Sequence, residues 1–166
     1  PPSRRLPPLP SLVSLSTGAG PHAQSLVDEQ RLARALGYLV NYSYLRGDPT
    51  GAIQHGKKCL AIGESRNDRG LHTLARRYMG HSYHAQGQYR EAESILRQNL
   101  EVHESSRETA SAAQDNLSCV ASCGWLAFTL ADLGEFDQAH SYAEQALRTA
   151  EASGHPYPLA IAWTMG

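Results

Sequence analysis

From Ser25 onward the apolar residues recur at helical spacing, and no stretch sustains the alternation of a half-buried strand. Leu26, Leu32, Leu36, Leu39, Val40 and Leu45 predict a helix from about 26 to 46, headed by Ser25 and Asp28 in the form of a capping box. Gly47 ends it, Asp48 is a good N-cap, and Pro49 falls in the first turn of a second helix reaching about Ser65. The grammar then repeats. Asn67, Asp68 and Gly70 break the chain before Leu71, Leu74, Tyr78, Met79 and Tyr83; Gly87 stops that helix and another runs from about 89 to 104. A third pass takes Leu117, Val120, Leu126, Ala127 and Leu130 to Gly134, then continues from Glu135 to about Ala152. The pattern predicts helical hairpins at about 26–65, 68–105 and 110–152, with the start of a further helix over 156–166 after Gly154 and His155-Pro156.

The three hairpin turns align as Gly47-Asp48-Pro49-Thr50-Gly51-Ala52, Gly87-Gln88-Tyr89-Arg90-Glu91-Ala92 and Gly134-Glu135-Phe136-Asp137-Gln138-Ala139. Glycine leaves the first helix in a left-handed conformation, a polar residue caps the next, an aromatic packs back, and alanine permits close helix approach. These turns resemble the tetratricopeptide repeat family, whose hairpins carry a Gly-polar-aromatic-x-x-Ala turn. The second and third copies match best, whereas the first has Pro49 for the aromatic. On the first helix of each hairpin, the second copy has Gly80 and Tyr83, the third Ala127 and Leu130, and the first Val40 and Ser43. The resemblance implies an all-α fold, a right-handed superhelical stack of antiparallel hairpins with about three repeats plus the start of a fourth. The turn alanines lie 40 and 47 residues apart (92 minus 52, 139 minus 92). The family period is about 34, so extended loops between repeats are expected, the longer at Ser105 to Asn116 and exposed to solvent.

A narrower resemblance lies in Glu151-Ala152-Ser153-Gly154-His155-Pro156-Tyr157-Pro158-Leu159-Ala160 and in the stretch from Trp125 to Phe136. Both look like the C-terminal repeat region of large bacterial signalling ATPases, among them predicted adenylate/guanylate cyclases and transcriptional regulators. That likeness implies a protein-interaction or sensor segment of a larger signalling protein. The alternative is a stand-alone scaffold that self-associates through the apolar edge from Leu159 to Met165.

Residues 1–24 differ in texture, with Pro1, Pro2, Pro7, Pro8, Pro10 and Pro21 among Gly18 and Gly20, and read as a flexible linker before a repeat domain over 25–166. Pro7 to Pro10 reads as ordinary linker composition rather than a polyproline ligand. Across 166 residues the formal charge is -1, which supplies no general attraction to nucleic acid or an anionic membrane. No apolar run approaches the roughly 20 residues of a membrane span. Cys59, Cys119 and Cys123 are too few for a disulfide framework, so a reducing, cytoplasmic setting is expected.

Catalytic chemistry is not foreseen. Gly56-Lys57-Lys58-Cys59 lacks the glycine spacing and hydroxyl of a phosphate loop, and no turn resembles a nucleophile elbow. His72, His81 and His84 share a helix without a closing carboxylate at helical spacing, so they read as polar surface residues, with no metal and no cofactor. Cys119 and Cys123 read as small packing residues. In the repeat architecture the first helices line the concave side, which gives a candidate groove of Arg34, Asn41 and Tyr44, then Arg77, His81 and His84, then Phe128 and Asp132. Such a face suits a protein or peptide partner, Arg77 offering charge-assisted hydrogen bonds and Tyr44 or Phe128 apolar contact. A chaperone-tail clamp is disfavoured, because Gly37, Tyr78, Ala121 and Trp125 occupy several positions where such repeats carry Lys, Asn and Arg.

Overall fold

A computed structural model describes residues 21–105, 112–154, 156, 158 and 159, without the side chains of 21–30, 33, 34 and 103–116. The described residues form α1 (Pro21–Leu45), α2 (Pro49–Arg66), α3 (Arg69–Ala85), α4 (Tyr89–Ser105), α5 (Ala112–Asp132) and α6 (Phe136–Ser153), with no strand among them. The chain divides into a unit of Pro1–Leu32, whose described part is the first stretch of α1, and a unit of Ala33–Gly166, which holds everything below. The foreseen linker segment 1–20, Pro7 to Pro10 included, and most of the 159–165 edge lie outside the described residues. Helix α1 starts at Pro21 rather than near 26, since proline is tolerated in a first helical turn and His22, Ala23 and Gln24 do not oppose a helix.

Three hairpin turns share one geometry. Gly47, Gly87 and Gly134 have φ of 72°, 72° and 79°. At each, the residue after the glycine donates its N–H to the carbonyl five residues back, as Asp48 to Ser43 at 2.9 Å, Gln88 to Tyr83 at 2.9 Å and Glu135 to Leu130 at 2.8 Å. The glycine N–H itself bonds three residues back. This is the Schellman ending, which satisfies the last carbonyls of one helix and turns the chain into the next. Asn67 closes α2 in the same left-handed way at φ 52°, and Asp68 then caps α3, its Oδ1 accepting from Leu71 N–H at 3.1 Å.

The loop expected between α2 and α3 is absent, and the one expected at Ser105 to Asn116 is in part helix. Only Asn67 and Asp68 separate α2 from α3, and α4 and α5 extend to Ser105 and from Ala112. Residues 112–116 of that expected loop belong to α5, which has 21 residues against 17 in α3, and 106–111 lie outside the described residues. A polar face at a helix end looks like a loop in sequence, because both are hydrophilic.

Helix α3 packs between α2 and α4, and α5 between α4 and α6. Leu36 and Val40 of α1 meet Cys59 of α2 and Ala75 of α3 in one core; Leu96, Leu100, Val120, Leu126 and Leu130 join Ala139, Ala146 and Ala150 of α6 in another. The alanines let α6 approach closely. At the α3–α4 crossing a Cβ on Gly80 would stand 2.6 Å from Leu96 Cδ2, so glycine sets that approach.

Candidate functional site

Helices α1, α3 and α5, the first of each hairpin, bring their aromatic residues together. Trp125 of α5 is the hub: its ring centroid lies 4.4 Å from His81, 5.3 Å from His84, 6.0 Å from Phe128 and 6.4 Å from Tyr44. Tyr44 in turn meets Tyr78 at 5.7 Å and His81 at 5.2 Å. Most of these pairs are tilted or edge-to-face, the arrangement ring quadrupoles favour, while His81 stacks on Trp125 with 27° between planes.

His81 is buried, so the surface role read from sequence does not hold for it. Neither ring nitrogen has a hydrogen-bond partner among the described residues. Burial, followed by the Arg77 charge and His84, pushes its pKa well below the ordinary value, and it stays neutral. Arg77 lies with its guanidinium 4.6 Å over the Tyr78 ring, and its Nε is likewise buried without a partner.

His84 bridges α3 to α5. Its Nδ1 stands 3.2 Å from Thr129 Oγ1, and that hydroxyl donates its proton to the Trp125 carbonyl at 2.8 Å. With that proton committed, Thr129 accepts from His84 Nδ1–H, and Nε2 lies 3.6 Å from Asp132 Oδ2, where it donates only when the ring is protonated. Desolvation lowers the His84 pKa, and Asp132 partly opposes it.

Of the residues foreseen in the groove, Tyr44, Arg77, His81, His84, Phe128 and Asp132 therefore belong to one contiguous cluster. Asn41 is half-buried on α1 outside these contacts, and the side chain of Arg34 lies outside the described residues. His81 forms part of the cluster's floor, whereas Phe128, 40% exposed, and Asp132 are open to a partner. The sequence reading passed over Tyr78, Trp125 and Thr129 as site residues. Their signal was available: Tyr78 precedes His81 and Trp125 precedes Phe128 by three residues, which puts each pair on one helix face.

Among the described residues no three His, Cys, Asp or Glu side chains converge as metal ligands. The Cys59 thiol is buried on α2, and burial together with Asp68 pushes its pKa up to about 11, so it is a packing group rather than a nucleophile. Among the described residues no helix is long and apolar enough to cross a membrane.

The repeated turn, the alternation of lining and backing helices, and Gly80, Tyr83 and Ala92 at their places in α3 and α4 all point one way. Residues 71–106 and 120–153 match the family model for the tetratricopeptide repeat. These repeats correspond to the α3–α4 and α5–α6 hairpins; the α1–α2 hairpin lies outside the matched residues but shares their turn geometry. Tetratricopeptide repeats generally mediate protein–protein interaction, and the fold is generally non-catalytic. No curated protein matches the chain.

Proposed function

We propose that this segment binds a protein partner on the face where α1, α3 and α5 converge, and that it serves a larger bacterial signalling protein as a regulatory or sensor element. One observation carries the binding face: an aromatic cluster spanning three lining helices, with Phe128 and Asp132 exposed at its margin and Arg77 ordered over Tyr78 beside it. Rigid aromatic contact area flanked by a few charged groups is the composition of binding hot spots. An extended peptide can lay an apolar side chain on Phe128 and place an acidic group near Arg77. The signalling assignment is supported by the likeness of the Trp125–Phe136 and Glu151–Ala160 stretches to repeat regions of bacterial signalling ATPases. A cytoplasmic setting follows from that role and accords with the protonated, buried Cys59.

The test is a selection of random linear peptides on the wild-type chain, followed by titration of the winners. Phe128→Ala should weaken them by about tenfold or more, as loss of a hot-spot aromatic does, with the melting temperature unchanged. Winners that bind Phe128→Ala and Arg77→Ala as tightly as wild type would remove this face from consideration.

A further inference from the structure

The outward side of α1 is built like an inward one. Tyr38, Tyr42 and Leu45, at spacings of four and three, are 76%, 56% and 73% exposed, and Ala35 and Leu39 flank them in the open. The opposite side of the helix buries Leu36 and Val40 in the core. Between residues 35 and 46 only Arg46 is charged, and it donates to the Tyr42 hydroxyl at 3.3 Å while lying over that ring. The exposed side of α6 shows what a solvated face looks like in this fold, with Asp137, His140, Glu144, Arg148 and Glu151. A helix apolar all round is one that packs on two sides.

The fold itself shows what fits there. Helix α3 takes α2 on one side and α4 on the other, and α5 takes α4 and α6. Among the described residues α1 has α2 for its own hairpin and no helix in the position that α2 holds against α3. The charge of the surroundings narrows the occupant: Arg46 borders the stripe, and no Asp or Glu occurs from residue 33 to 47. A second copy would bring a second Arg46 to the same contact, and residues 1–20 carry Arg4, Arg5 and five prolines with no acidic residue.

We infer that the Tyr38–Tyr42–Leu45 stripe seats an amphipathic helix of a partner protein, apolar on its docking face and acidic at its flanks, packed on α1 as α2 packs on α3. This surface is separate from the groove proposed above. Apolar burial supplies the affinity, and Arg46 selects the sign of the flanking charge.

Two designed peptides of 18 residues, the length of α2, test it: both carry a leucine face, one flanked by Glu and the other by Lys. Fluorescence anisotropy should show the Glu peptide binding more tightly. Tyr38→Ser, Tyr42→Ser and Leu45→Ser combined should weaken it at least about tenfold, and Phe128→Ala should leave it unchanged. Equal binding of both peptides, or equal binding by the triple variant, overturns the inference. So does a dimer in sedimentation equilibrium that the triple variant abolishes, since the stripe would then belong to a second copy. Arg46→Glu, a single exposed change, provides the second variant: it should shift preference toward the Lys peptide, and an unchanged preference counts equally against the inference.

Discussion

His81 and His84 stand three residues apart on α3 and still occupy different chemical worlds. His81 is sealed against Trp125 with both nitrogens unpartnered, whereas His84 is held by Thr129 and faces Asp132. Sequence placed both on one helix face and could not tell them apart, because burial depends on where α5 crosses. A histidine with a depressed folded pKa contributes stability that is fully present above its unfolded value of about 6.5 and lost as the pH falls below it, since the unfolded chain then takes a proton the native state refuses. His81 should therefore steepen acid destabilisation by up to about 1.4 kcal/mol per pH unit. Urea titrations between pH 7.5 and about 5 should show that slope in wild type and a flatter one in His81→Phe; His84, also lowered, should leave a smaller slope of the same sign. Two glycines make a second contrast. Gly80→Ala forces a methyl into Leu96 and should cost about 1–3 kcal/mol. Gly37→Ala meets Leu74 at an ordinary 3.5 Å and should stabilise by about 0.5–1 kcal/mol, both read from denaturant midpoints.

At the scale of elements, the hairpin turns were legible because their chemistry is local. Glycine, a polar residue and a helix start fix the Schellman ending whatever surrounds it, and Gly47, Gly87 and Gly134 all obey. The α2–α3 joint was misread, and so were residues 112–116, because the extent of a helix is decided by what it packs against and not by its own first turn. The α4–α5 interface also hides a polar pair with no sequence signal: Asn99 Nδ2 donates to Ser122 Oγ at 2.9 Å, and Asn99 Oδ1 is buried without a partner among the described residues. Ser122→Ala strands the amide and should cost about 1–3 kcal/mol, whereas Asn99→Leu with Ser122→Ala should come close to wild type. A double variant no more stable than the single would show that the pair is held by shape rather than by hydrogen bonding.

Across the unit from Ala33 to Gly166, the all-α repeat fold was readable from periodicity and six of the eight groove residues fell in one cluster, but its hub did not stand out. Trp125 looked like an obstacle to one kind of ligand clamp; packing makes it the α5 residue that touches both α1 and α3. Stacked repeats otherwise communicate with nearest neighbours only. Trp125→Leu should thus lower amide protection at the C-terminal ends of α1 and α3 as well as in α5, and spare α6, in hydrogen exchange followed by mass spectrometry. Loss confined to α5 would mean that the hub is a local filler. The same indole also gives the molecule an optical readout. An imidazolium beside tryptophan quenches its emission and a neutral imidazole does so far less, so light from Trp125, isolated by Trp163→Phe, reports protonation of His84 while His81 stays neutral. A partner that settles on Phe128 would shift the same emission, and occupancy of the groove can be followed without attaching a dye.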